Sequence, residues 1–255
     1  MNRILFEKSE IADGVATFGG ARAAHVLDVL HGEVGQTLKT GEVGGRIGTA
    51  EIVGIERMDG GEALVRAKVC HDQESLRPWA DIVLAPPRPR VMKRLLPQLA
   101  AMGVGRIVLV GAKKVEKDFW GATLLKEENY RPLLVDGLMQ AGTSILPELV
   151  CRRNFRRFVA DELDAMFPTP RRIVAHPYGA EGTKETEESK GTAGMLLLAI
   201  GPEGGWTDEE VALLESKGFA RYSLGPRILR TDTAVIALLA RLGTEHDKNT
   251  KEETW

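Results

Sequence analysis

Cysteine is scarce in this chain: of 255 residues only Cys70 and Cys151 are thiols, and neither belongs to a CxxC pair. That spacing argues against a disulfide framework and against a cysteine zinc site. The histidines, His25, His31, His71, His176 and His246, are scattered without metal-ligand spacing, so no metal is expected. No run approaches the ~20 consecutive apolar residues of a membrane span. The N-terminus, MNRILFEKSE, lacks the apolar core of a signal peptide, so a soluble, cytoplasmic protein with no membrane partner is expected. Three motifs are also missing: there is no GxxxxGK[ST], no GxGxxG opening an α/β unit, and no GxSxG. Their absence argues against a P-loop, an ordinary dinucleotide or Rossmann methyltransferase site, and a nucleophile elbow. Charge of one sign is lacking as well. A formal net charge of −2 speaks against a uniformly basic nucleic-acid platform, although it leaves local patches open.

Basic residues do cluster, at Arg88, Arg90, Lys93 and Arg94, at Lys113, Lys114 and Lys117, and at Arg152, Arg153, Arg156 and Arg157. Any one cluster taken alone reads as a solvated face. With 43% hydrophobic and 27% charged residues, the chain suits one large domain or a large and a small one. Residues 1–72 differ from the rest. A strand over 3–6 and a helix over 21–30 lead into the alternating runs QTLKT, RIGTAEIVGIE and EALVRAKV, parted by Gly44-Gly45 and Asp59-Gly60-Gly61. Short strands so spaced predict a small β-barrel or sandwich. His25 on that helix reads as a packed or capping side chain rather than a ligand.

The polar stretch HDQESLRPWA then supplies a linker, set at 73–80. Over 81–243 strands alternate with helices. The strands fall at 81–85, 106–110, 147–151 and 172–175, and the helices at 91–102, 130–141 and 154–166. Pro97 is expected to kink or restart the first of these helices. This alternation predicts a mostly parallel sheet with helices on both faces. The glycine-rich polar stretch 179–194 is expected to be a mobile excursion, and the charged tail 244–255 to fray.

Residues 196–242, LLLAIGPEGGWTDEEVALLESKGFARYSLGPRILRTDTAVIALLARL, use one device twice: an apolar run breaks into a Gly-Pro turn that leads into a helix. In the first copy the run 196–200 reads as a strand buried on both faces. Gly201, Gly204 and Gly205 permit φ > 0 and a close approach of ligand to bare backbone. Thr207 with Glu210 forms a capping box, and Lys217-Gly218 ends the helix. In the second copy Tyr222, Ser223 and Leu224 precede Gly225-Pro226, and a helix over 233–242 stops at Gly243. That helix is apolar on nearly every side, so it lies in a deep core or at a subunit interface. Ligands of parallel sheets bind outside the carboxyl ends of the strands, where both loops fall.

AIGPEGGWTDEEV over 199–211, followed by SLGPRILRTDTA over 223–234, resembles the paired signature of the 16S ribosomal RNA (uridine-N3)-methyltransferases of the SPOUT class. The likeness extends to HVLDVLHGEVG over 25–35, similar to the family's PUA-like barrel, and to VMKRLLPQLAAMGVGRIVLV. The pattern differs at His31, Asp232 and Gly142-Thr143, and the changes at His31 and Thr143 would remove phosphate contacts. The resemblance implies an α/β, SPOUT-type knotted, mostly parallel sheet domain with helices on both faces, preceded by a small PUA-like β-barrel. It implies S-adenosylmethionine as cofactor, 16S rRNA or the small ribosomal subunit as substrate, and a homodimer packed through the final helix. The cofactor residues so implied are His176, Pro177, Ile200, Gly201, Pro202, Glu203, Gly204, Gly205, Leu224, Gly225, Arg227, Ile228, Leu229, Arg230 and Thr231. RNA contacts are implied at Arg3, Arg22, Arg88, Arg90 and Lys93.

Transfer to uridine N3 needs loss of the N3 proton, so a cation should face the charge left on the base. Arg230 is the first candidate for that cation, with Asp232 or Glu203 as proton acceptor. The plainer alternative for Arg230 and Asp232 is an ion pair that caps the last helix. Other readings of the whole chain are a catalytically inactive RNA-binding dimer, a methyltransferase for a different RNA site, and an enzyme whose loops hold a nucleotide phosphate.

Overall fold

The computed structural model describes residues 2–58, 62–178 and 195–252, with side chains as far as 244 in the last span. The turn at 59–61, the polar excursion at 179–194 and the end of the tail lie outside the described residues. The chain forms two compact units, one of residues 1–76 with 135–146, the other of 77–134 with 147–255.

The first unit is a curled six-stranded sheet in the order β1 (Ile4–Phe6), β4 (Thr37–Glu42), β5 (Ile47–Arg57), β6 (Ala63–Gln73), β3 (Val15–Phe18), β2 (Ile11–Ala12). All neighbours are antiparallel except β1 and β4, where Ile4 faces Thr40. Strand alternation turns Leu38, Ala50, Ile52, Val65 and Ala67 inward, onto Phe6, Phe18 and Val26. The β2–β3 hairpin escapes the periodicity reading. Its turn is Asp13-Gly14, with φ of 49° and 76°, the pairing that a tight two-residue hairpin favours. The expected helix over 21–30 is a short α1 (Gly20–Ala24) continued by a π-helical turn, His25–Val29.

Two arginines hold this unit together. Arg3 donates to the carbonyls of Thr40 (2.7 Å), Gly48 (2.9 Å) and Gly142 (3.0 Å). Arg22 pairs with Glu10, donates to the Leu5 carbonyl and lies over the rings of Phe6 and Phe18. Thr143 is buried with its hydroxyl on Ser75 Oγ at 2.9 Å.

The second unit is an all-parallel sheet in the order β12 (Ala220–Tyr222), β10 (Arg172–Ala175), β11 (Leu196–Ile200), β7 (Ala80–Leu84), β8 (Val104–Val110), β9 (Glu148–Arg152). One face carries Val83, Val108, Val174, Leu197 and Ala199. It packs on Phe155, Phe158, Leu163 and Phe167 from α4 (Phe155–Arg157), a π-turn and α5 (Leu163–Met166), and on Val211 and Leu214 of α6 (Asp208–Ser216). The opposite parity buries Ile82, Leu84, Ile107, Leu109, Leu196 and Leu198 on the other face. There α2 (Pro89–Ala101) lies against β8 and against α7 (Thr231–Glu252). Each such aliphatic side chain withdrawn from water contributes about 1.5–3 kcal/mol.

Several elements differ from expectation. Pro97 does not restart α2, which runs unbroken from Pro89, because Leu95, Leu96, Leu99 and Ala100 are buried on both sides of it. α3 (Glu127–Ala141) begins ahead of the expected 130 and, as expected, runs through Pro132. β12 ends at Tyr222, so Ser223 and Leu224 belong to the loop rather than the strand. α7 passes through Gly243 and reaches Glu252. Val235, Leu238, Leu239 and Leu242 are buried within the chain and Ile236 is 38% exposed, which departs from the deep-core alternative and leaves the subunit-interface alternative untouched.

Candidate cofactor site

Because every strand of the second unit runs the same way, the loops leaving the carboxyl ends of β10, β11 and β12 gather at one end of the sheet. They enclose a cavity of about 440 Å³, within the ~300–1,000 Å³ usual for small-molecule sites. Its walls are Ala175 to Tyr178 at and after the end of β10, Ile200 to Trp206 with Asp208 at and after the end of β11, and Tyr222 to Gly225 with Arg227, Ile228, Leu229 and Thr231 from the end of β12 to the first residue of α7. Ala234, Leu238 and Lys114 complete it.

The first glycine loop is fixed from beneath. Glu210 is 6% exposed, and its Oε2 accepts from Thr207 N (2.9 Å) and Thr207 Oγ1 (3.1 Å), while Thr207 Oγ1 accepts from Glu210 N (3.3 Å). This is the capping box expected of the sequence, and it aims the amino end of α6 at the loop. Trp206 is 5% exposed and packs on Phe155 with ring centroids 5.2 Å apart. Gly201 lies so close to Trp206 that an added Cβ would sit 3.0 Å from its main-chain nitrogen. Gly205 takes φ +69° and donates to the Pro202 carbonyl at 2.8 Å.

The second loop is more open. Gly225 takes φ +112°, a conformation closed to side-chain-bearing residues without strain. Ser223 Oγ donates to the carbonyls of Pro177 and Gly225, both at 3.3 Å, and so ties this loop to the one after β10. Ile228 is 72% exposed at the rim.

Of the cofactor residues expected from the sequence, all line the cavity except Arg230, which is exposed and outside the lining set. No side-chain partner of Arg230 is found among the described residues. The capping ion pair between Arg230 and Asp232 does not form. Asp232 instead lies 3.6 Å from Arg94 and accepts from Thr233 N at 3.0 Å. Glu203 lines the cavity and is exposed. The Arg88 guanidinium is raised above its ordinary range first by its 3.0 Å hydrogen bond to Glu116, then by the charges of Glu116 and Glu203. Lys114, which sequence reading had only as part of a basic cluster, joins the wall through a non-local contact. No group of three or more metal-ligating side chains occurs among the described residues.

The donor set suits a partly apolar ligand better than a polyphosphate: glycine backbone, aliphatic and aromatic walls, and few cations. The indole N–H of Trp206, itself shut off from solvent, has no partner among the described residues.

Residues 74–243 match the family model described as the RNA methyltransferase domain, and the chain belongs to this family. Over 94% of its length the chain is 31% identical to the ribosomal RNA small subunit methyltransferase E of Treponema pallidum, covering 90% of that protein. A Legionella pneumophila protein solved in complex with the bound cofactor SAM is 25% identical, with a TM-score of 0.72 over 95% of this chain and 97% of that one. The ribosomal RNA small subunit methyltransferase E of Neisseria gonorrhoeae, solved bound to S-adenosyl methionine, shares the fold with a TM-score of 0.70 at 19% identity, covering 96% and 97% of the two chains.

Proposed function

We propose that this protein is an S-adenosylmethionine-dependent methyltransferase of small-subunit ribosomal RNA, acting on N3 of a uridine in 16S rRNA. The observation that carries the reading is the cavity itself. Two successive Gly-Pro reversals and the loop after β10 form its walls. A nucleoside with a short charged tail fits such a site, and the relatives in the same family support that choice. When bound, S-adenosylmethionine supplies a methyl group made electrophilic by its sulfonium.

The chain's own residues do the rest. The main chain of the two loops holds the cofactor, and Ser223 keeps the second loop against the loop after β10. Uridine N3 carries a proton that must leave before or during methyl transfer. Glu203, in the cavity wall, is better placed to accept it than Asp232, which is engaged by Arg94. Arg230 is uncommitted and exposed at the start of α7, so its guanidinium is free to swing to the negative charge spread over the two flanking carbonyl oxygens of the base.

The curled sheet of the first unit is read as a PUA-like barrel that contacts RNA. Since Arg3 and Arg22 are engaged within that unit, their part in RNA binding is to shape its surface. Arg90 and Lys93 on α2 contribute charge toward phosphates. The insertion of β11 between β10 and β7 is read as the core of a trefoil knot. Ile236 on α7, with Ile228 and Leu229, supplies an apolar face for a second copy of the chain in a cytoplasmic homodimer.

The test is direct. Small ribosomal subunits lacking the modification are incubated with the protein and labelled cofactor, then digested to nucleosides. Labelled 3-methyluridine is expected, and label in another nucleoside or none would overturn the assignment.

A further inference from the structure

The loop leaving β8 carries Lys113 and Lys114 to the first glycine loop. Lys113 N donates to Glu210 Oε1 at 2.7 Å, so the buried carboxylate that caps α6 also anchors this neighbouring loop. From there the Lys114 ammonium reaches the Gly204 carbonyl at 2.8 Å. The lysine stem lies along the glycine: a Cβ at Gly204 would sit 3.0 Å from Lys114 Cδ. Lys114 also lines the cavity.

We propose that Lys114 is a positioning residue of the cofactor site, whose bond to the Gly204 carbonyl sets the shape of the 201–205 backbone before ligand arrives. Three glycines in five residues leave that stretch much conformational freedom, and a ligand that had to order it would bind more weakly. The lysine meets this need from a different loop, without a covalent constraint. The inference rests on the functional reading above only for the identity of the ligand; the latch itself is a property of the free protein.

The experiment uses the full chain and four proteins: wild type, Lys114→Ala, Lys114→Arg and Lys113→Ala. Amide hydrogen exchange without cofactor is measured over 201–206, and S-adenosylmethionine affinity by calorimetry. Lys114→Ala should speed exchange there and weaken binding by about tenfold, the loss of one charge-assisted hydrogen bond. Its thermal midpoint should stay near wild type. Lys114→Arg should recover most of the affinity, since a guanidinium reaches the same carbonyl. Lys113→Ala removes the same charge while leaving its main-chain bond to Glu210, and should behave as wild type. Unchanged exchange in Lys114→Ala, or an equal effect from Lys113→Ala, would overturn the latch. Failure of the wild type to bind the cofactor would sink the functional reading, leaving the exchange result to decide the latch alone.

Discussion

Gly201-Pro202 and Gly225-Pro226 open loops of the same sequence kind, but the fold holds them differently. The first sits on a buried carboxylate, a capping box, a buried tryptophan and a lysine from a neighbouring loop. The second is tied down through Ser223 and is exposed from Gly225 to Arg230. A rigid cradle needs little ordering when ligand arrives, whereas an open loop supplies groups that move onto the reacting base. On the reading proposed above both loops hold the cofactor, the first with little ordering to do, and the second adds Arg230 as the cation for the base.

Arg230→Ala should break the comparison most visibly. Turnover should fall by roughly 100-fold, the scale of losing one group that faces developing charge, while calorimetry finds cofactor affinity near wild type. An equal fall in affinity would mean that Arg230 holds the cofactor rather than the charge on the base. Gly201→Val comes next. Its side chain would run into Trp206, and overpacking should lower the stability of the fold by about 1–3 kcal/mol, read as a lower thermal midpoint. Gly225→Ala offers the contrast: nothing lies within 4 Å of the added Cβ, so only the strain of φ +112° acts, and about 1 kcal/mol is expected.

Thr207→Ala should lower thermal stability by about 1 kcal/mol, the usual cost of losing an N-cap, and should speed exchange in the first loop but not in the second. Asp81→Asn, at the far end of the same sheet, is the control. Burial pushes the Asp81 carboxyl up to about 6, opposed by the Arg106 main-chain N–H and guanidinium. A carboxyl whose folded pKa is raised stabilises fully below its unfolded value and loses that contribution as pH rises through about 6. The asparagine variant should therefore gain melting temperature at alkaline pH relative to wild type, gain nothing at acid pH, and leave cofactor affinity unchanged.

The central strands and the first loop were legible because their signals are local. The run at 196–200 is a strand to the residue, and Thr207 with Glu210 is the cap it looks like. What escaped depends on contacts distant in sequence. Gly243 reads as a helix stop, yet α7 passes through it, because its missing Cβ makes room for the Trp79 ring, which an added Cβ would meet at 3.0 Å. Lys114 reads as one of a basic run and becomes part of the cavity only when β8 and β11 are brought into one sheet. Arg230 carries the opposite lesson. Its neighbours in the sequence line the cavity while its own side chain lies outside the lining set, which no periodicity foretells. Asp13-Gly14 was within reach, since that dipeptide between apolar residues is itself a hairpin signal.

A crystal structure of the protein soaked with S-adenosylmethionine tests the central claim most directly. The account predicts the cofactor seated between residues 201–205 and 224–231. Density for the cofactor at any other place, or against only one of the two reversals, would contradict the account.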